Sequence, residues 1–194
     1  MFVEKPISTS PVPDVWACSQ FLKERKHIVS VGYMLRYLKC VQMAKEIIAR
    51  ENLTVMGVCA RYIAAYAKID KMFWWDKDMA CGPIVEQGTH FVDLCRYFGG
   101  EANFKTIRAH ALEHFEGPGK LSALSVKEDS IPPERRIPRM TVATWKFVSG
   151  AVCSFTHGLV LHGSRYDTTL EVYCDGWSFR LVDPYKYLPG SPAC

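Results

Sequence analysis

Glu86 and His90 stand four residues apart in the stretch Gly82-Pro83-Ile84-Val85-Glu86-Gln87-Gly88-Thr89-His90-Phe91-Val92-Asp93. On one continuous helix that spacing puts both side chains on one face, roughly 5–6 Å apart at Cβ. A carboxylate and an imidazole held in this way can orient each other and move a proton, which is how a general base near neutral pH is usually arranged. Asp93 follows most of a turn later. Read alone, Glu86 is equally a first-turn acid favourable to the helix dipole, and Asp93 a helix-surface hydrogen bonder. A metal centre built from Glu86, His90 and Asp93 lacks the His-Glu-x-x-His pattern of zinc proteases and has no further imidazole nearby, so none is expected.

Lys5 is a third ionisable group, in Glu4-Lys5-Pro6. The ring of Pro6 disfavours the helical region for the residue before it and pushes Lys5 toward an extended conformation. At the end of a parallel strand its ammonium would project into the crevice where α/β sheets bind ligands. An isolated Glu-Lys-Pro is equally an ordinary charged turn. Arg61, Tyr62, Trp74 and Trp75 can line a sugar pocket by stacking and hydrogen bonding, or simply be core.

These groups need a scaffold, and the apolar periodicity supplies one. Phe2-Val3-Glu4 reads as a strand stub. Ser10-Pro11 offers a cap and first-turn proline for a helix carrying Val15, Cys18 and Leu22 up to about Lys26, and His27–Tyr33 is a short β-rich stretch. Residues 1–33 therefore predict a strand–helix–strand unit with a right-handed crossover. A second helix is predicted over Leu38–Arg50 and a strand over Thr54–Ile63, with an irregular aromatic segment over 64–81. Pro83 opens, and Gly99-Gly100 closes, the helix bearing Glu86 and His90. Strands are predicted at Lys105–Glu113, Met140–Val148 and Ala151–Leu161, with a hairpin Thr168–Cys174/Trp177–Val182 turning at Asp175-Gly176. Residues 117–138, with four prolines, predict a long mobile loop. The expected fold is α+β: a largely antiparallel open sheet with helices on one face, preceded by a fragment of something parallel.

Composition bounds the function classes. With 194 residues and 48% hydrophobic content the chain can bury a core. A net charge of +4 is too mild and dispersed for nucleic acid, and Lys23-Glu24-Arg25-Lys26 reads as a solvated helix end. No apolar run nears the roughly 18 residues a bilayer demands, and no secretory pattern opens the sequence. Eight scattered cysteines without a Cys-x-x-Cys pair predict buried, reduced thiols in a cytoplasmic protein.

The order Val3-Glu4-Lys5-Pro6-Ile7, Val31-Gly32-Tyr33-Met34-Leu35-Arg36-Tyr37, Gly-x-x-x-Glu-x-x-x-His-x-x-Asp and Phe98-Gly99-Gly100 resembles the Gfo/Idh/MocA family of NAD(P)-dependent oxidoreductases (glucose–fructose oxidoreductase, inositol dehydrogenase and rhizopine-catabolism enzymes). The resemblance implies a remnant of a Rossmann domain over 1–34 and a substrate-binding and oligomerisation domain over 35–194. It implies catalytic roles for Lys5, His90 and Glu86: Lys5 hydrogen-bonding the reacting hydroxyl, His90 taking its proton, and Glu86 standing where many members have aspartate. Arg61, Tyr62, Trp75 and Asp93 become candidate substrate contacts, and Glu4, Lys5 and Pro6 contacts to NAD or NADP. The implied substrate is a sugar, cyclitol or related hydroxyl compound, and the implied assembly a homo-oligomer through the sheet face.

Two departures stand out. Cys81 precedes a single Gly82 where members usually have two or three glycines, and the Gly-x-Gly-x-x-Gly turn with its ribose-gripping acid is not in this sequence. The chain alone is therefore expected to lack turnover, and a non-catalytic binding or oligomerisation module is the alternative reading.

Overall fold

In a computed structural model, which describes residues 1–8, 12–163 and 165–188, the opening unit pairs as its sequence predicts. Strands β1 (Phe2–Val3) and β2 (Ser30–Val31) run parallel, Phe2 beside Ser30 and Val3 beside Val31, joined by helix α1 (Val12–Glu24). Ser10 and Pro11, singled out above, lie outside the described residues, as does Cys194, one of the eight cysteines. This unit is thinly covered: Trp16 is 65% exposed and Ile28 88%, and Phe2 and Phe21 are also bare.

The remainder is a six-stranded sheet of order β4-β5-β6-β3-β7-β8: β3 (Val55–Ala65), β4 (Ala102–Leu112), β5 (Met140–Phe147), β6 (Val152–Leu161), β7 (Asp167–Cys174) and β8 (Trp177–Val182). Every neighbouring pair is antiparallel except β3 with β6, which run parallel. One face carries α2 (Lys39–Arg50), α3 (Lys77–Ala80), α4 (Gly82–Glu86) and α5 (Thr89–Gly99). Side chains alternate across a strand. Val58, Ala60 and Tyr62 of β3, Cys153, Phe155, His157 and Leu159 of β6, and Leu170 and Val172 of β7 therefore meet Phe91, Leu94 and Phe98 of α5 in one buried layer. Gly99 permits the closest approach, because a Cβ there would sit 2.2 Å from the Phe147 ring.

Three expectations are corrected. The helix predicted from Pro83 to Gly99 is broken into α4 and α5 at Gln87-Gly88. A Cβ on Gly88 would lie 2.4 Å from the Ile84 carbonyl oxygen and 3.0 Å from the Phe155 ring, so the chain turns where only glycine fits. The thiols are not uniformly buried: Cys95, Cys153 and Cys174 are, whereas Cys18, Cys40 and Cys59 are exposed. Helix α1 has little covering it, and Cys59 faces the open side of the sheet.

Residues 117–138 are not a loose loop. They fold as short 3₁₀ turns at 117–119, 128–130 and 133–135, with Ile131 and Ile137 buried. The buried Arg139 anchors them, donating through Nε to the Gly119 carbonyl at 3.0 Å and through Nη2 to Glu128 at 2.5 Å. Arg135 adds a paired contact to the buried Asp76. Cutting a buried ion pair leaves one charge uncompensated, at a cost of about 3–5 kcal/mol. Arg139→Ala is expected to lose stability on that scale in urea unfolding and to open 117–138 to limited proteolysis. An unchanged midpoint would show that the pair does not hold the segment.

Candidate active site

Lys5 emerges just beyond β1, after which the Lys5–Pro6 peptide is cis. Its ammonium donates to the Glu86 carboxylate at 2.6 Å and to the Glu86 main-chain carbonyl at 3.0 Å. Two bonds onto one residue fix direction as well as distance, and both partners are partly shielded from water. The structure thus brings together Lys5, Glu86 and, across the break at Gly88, His90. Glu86 and His90 do not share one continuous helix as their spacing suggested; the glycine break sets their relation instead.

His90 is 2% exposed. Its ring stands edge-on to Tyr33 at 6.4 Å and to Tyr185 at 6.1 Å between centroids. Nδ1 is sealed from solvent without a hydrogen-bond partner, which leaves Nε2 as the nitrogen to address a ligand. Burial, with the nearby Lys5 ammonium second and Glu86 opposing, lowers its pKa to about 4. At neutral pH the imidazole is uncharged and ready to accept a proton.

Tyr62 forms the floor. It stacks on His157 at 5.7 Å and 21°, and meets Phe91, Tyr166 and Tyr185 edge-on at 5.4, 5.8 and 6.2 Å. Burial first, then Tyr185, hold the Tyr62 phenol far above its usual range, so it remains a hydrogen-bond donor. Burial also raises Tyr185, which shares a side-chain hydrogen bond with Tyr62. His157, buried on β6 with Nε2 unpartnered, is lowered to about 4 by burial alone. Beside it, across α4, lies a cavity of about 230 Å³ lined among others by Lys77, Cys81, Gly82, Glu113 and Thr141.

Three expected contacts are placed elsewhere. Arg61, next to Tyr62 on β3, points to the opposite face of the sheet and pairs with Asp167 at 3.0 Å, because neighbours on a strand cannot face the same side. Trp75 is fully buried and donates its indole N–H to the Ile69 carbonyl at 3.1 Å; it is core. Asp93 is buried and engaged by both donor edges of Arg36, at 2.7 and 2.5 Å, so it anchors the segment after β2 rather than facing an open hollow. Glu4 and Pro6 flank Lys5; a Cβ on Gly32 would stand 3.0 Å from Glu4 Oε2, so the end of β2 leaves room for that carboxylate.

Tyr33 was quoted only as part of a motif, and His157, Tyr166 and Tyr185 were not singled out in the sequence. His157 alone carried a signal, a histidine in the inward row Cys153, Phe155, His157, Leu159. Cys81 stands at φ +54° and Gly82 at φ +74°, both left-handed, which is why glycines suit this entry into α4. The cysteine costs about 1–2 kcal/mol there. Among the described residues, no three His, Cys, Asp or Glu side chains gather as a metal site, and no helix is long and apolar enough to cross a membrane.

Comparison with known proteins follows the same outline. The profile of the family described as "Putative oxidoreductase C terminal domain" matches residues 36–177. The chain is 50% identical over 186 residues to the uncharacterized protein UNK4.17 of Schizosaccharomyces pombe, covering 96% of this chain and 46% of that protein. It is 45% identical over 185 residues to the uncharacterized protein C12C2.04 of the same yeast, covering 95% and 48%. The chain thus spans about half the length of the curated relatives it matches. Among solved structures it is similar to levoglucosan dehydrogenase in complex with NADH (TM-score 0.75, 19% identity, 93% of this chain and 47% of that one). It is also similar to GenD2 from gentamicin A biosynthesis in complex with NAD (0.64, 22%, 93% and 47%). An oxidoreductase domain protein from Kribbella flavida gives 0.72, 20%, 94% and 50%. At these identities the likeness is one of fold.

The two buried histidines make stability depend on pH. Each has a folded pKa near 4 against 6.5 for the free side chain, so the unfolded chain takes up protons first as the pH falls. Stability is expected to be unaffected by them above pH 6.5 and to decline between 6.5 and 4, by up to about 3 kcal/mol for each. Urea midpoints across that range check this, and His157→Gln should flatten the decline. An equal slope in wild type and variant would show that His157 titrates normally.

Proposed function

The chain belongs to the oxidoreductases of Gfo/Idh/MocA type, as a carrier of their C-terminal domain, and we propose that it supplies the substrate-binding, proton-transferring half of an NAD(P)-dependent enzyme acting on a sugar, cyclitol or related hydroxyl compound. The observation that carries this reading is the convergence of Lys5 and an uncharged His90 on Glu86. A substrate hydroxyl seated between Lys5 and His90 receives a hydrogen bond from the ammonium and gives its proton to Nε2. Glu86 holds the ammonium in position throughout, and the phenols of Tyr62 and Tyr185 wall the hollow and exclude water.

Glu4, Lys5 and Pro6, at the end of a parallel strand pair with the small Gly32 alongside, fit the edge of a nicotinamide nucleotide. Such a nucleotide supplies the hydride donor or acceptor. The complexes of levoglucosan dehydrogenase with NADH and of GenD2 with NAD support this choice of cofactor class. The bare apolar side chains of the β1–α1–β2 unit support its packing within a larger nucleotide-binding domain. The absence of bridged cysteines among the described residues favours a reducing, cytoplasmic setting.

The open face of the sheet is the proposed homo-oligomer contact. Gly57 pairs with both Val152 and Tyr173, so a low point lies between two half-exposed side chains, with Val142 and Val182 also open.

Three measurements test these statements. In the chain joined behind a Rossmann half, His90→Ala is expected to lower turnover about 10²–10⁴-fold; unchanged turnover would remove His90 from the mechanism. Calorimetric titration of the chain alone with NAD(H) and NADP(H) is expected to show no tight binding, and saturation would mean the cofactor site is complete here. Val152→Asp should convert a dimer to a monomer by light scattering, and a persistent dimer places the contact elsewhere.

A further inference from the structure

Beyond residue 177, the last that the family profile matches, the chain returns to the candidate site. Strand β8 ends at Val182, opposite Thr169. Asp183 then adopts the left-handed conformation (φ +46°, ψ +59°) and leads into a 3₁₀ turn, Pro184–Tyr187. Its main-chain N–H donates to the Thr168 carbonyl at 2.8 Å, and the hydroxyl of the buried Thr168 donates to its carboxylate at 3.4 Å. Pro184 is fully buried, and the Lys186 N–H closes the turn on the Asp183 carbonyl at 3.1 Å. A left-handed residue other than glycine persists where its surroundings over-determine it. The turn therefore presents Tyr185 from a fixed base.

The Tyr185 ring meets two groups of the site edge-on, Tyr62 at 6.2 Å and His90 at 6.1 Å. Its phenol shares a side-chain hydrogen bond with Tyr62; burial raises it above the ordinary range, against that bond and with Glu86 adding to the rise. The charged groups acting on His90 are Lys5 and Glu86, which oppose each other, and the titratable rings beside it are Tyr33 and Tyr185. Nδ1 of His90 has no hydrogen-bond partner among the described residues and is nonetheless shut off from solvent. Packed carbon, not a polar partner, keeps water from it, and the edges of Tyr33 and Tyr185 are the aromatic surfaces against the imidazole.

We propose that Tyr185, held by the 183–187 turn, is a positioning residue for His90: its ring fixes the imidazole and keeps water from Nδ1, so that the base meets a proton only from the ligand side. This rests on the reading of His90 as the proton acceptor and adds the residue that keeps it one. The Tyr62 bond holds the Tyr185 ring in place, while the ring edge does the sealing.

The test is two-dimensional NMR of the histidine rings of the full chain during acid titration, assigned with His90→Ala and His157→Gln. Wild-type His90 is expected to protonate at about 4. Tyr185→Ala lets water reach the ring and should raise its proton affinity at least about tenfold, toward that of a hydrated imidazole. Tyr185→Val carries the same expectation if the alanine variant does not fold. Tyr185→Phe keeps the ring edge and should leave His90 as in wild type, and His157 should stay at about 4 throughout. A His90 unmoved by the loss of the ring, or moved as far by Tyr185→Phe, overturns the positioning role and leaves the site reading standing. A His157 that shifts together with His90 shows general loosening and overturns it as well. A wild-type His90 that titrates near 6.5 overturns the sealed imidazole itself, and with it the uncharged base on which the site reading depends.

Discussion

A single ammonium joins the two parts of this molecule at the candidate site. Lys5 belongs to a small parallel unit that buries little of its own surface, while Glu86 belongs to the helical layer over the sheet. The bond between them, with a second from the same nitrogen to the Glu86 carbonyl, decides where the strand end points. A second tie, Arg36 to Asp93, clamps the segment after β2 to α5 through a planar two-point contact that lysine could not reproduce. His90 sits between these two anchored carboxylates in the chain. Its neutral state follows from the same arrangement, because the packing that excludes water also places a positive charge beside it.

The sheet determines how high this cluster stands. Helix α5 lies tight against β5 because Gly99 admits the Phe147 ring, and the turn before it is tight because Gly88 admits the Ile84 carbonyl. Between those two contacts the helix has little freedom to rise, so His90 is set edge-on to Tyr185, which in turn meets Tyr62. The strained entry through Cys81 and Gly82 turns the chain sharply enough for Pro83 to stand in the first turn of a new helix, α4.

Much of this was legible in the linear pattern. Lys5, Glu86 and His90 declared themselves by type and order, and the strands by alternation and the Asp175-Gly176 turn. What escaped was whatever depended on the third dimension. Arg61 and Tyr62 are adjacent on a strand, so only one could face the helices, and the inward Val58 and Ala60 select Tyr62. Trp75 looked like a sugar platform but found its partner in the Ile69 carbonyl. The break at Gly88 was hidden because helical spacing tolerates a glycine, and only the approach of Ile84 and Phe155 shows why it cannot be otherwise. Tyr166 and Tyr185 come from segments far along the chain, with no local sign of where they would arrive.

The place of β3 has a bearing on how this polypeptide assembles on the ribosome. Of the six strands of this sheet it is the first to be made, yet its neighbours β6 and β7 begin only at Val152 and Asp167. Its inward row Val58, Ala60 and Tyr62 therefore stays unflanked while the whole helical layer, β4 and β5 emerge. Contacts of such long sequence separation close late and slowly. Until translation reaches β7, a nascent chain of this kind carries a naked central strand, and helices waiting beside it are its only shelter from cross-pairing with other unfinished copies.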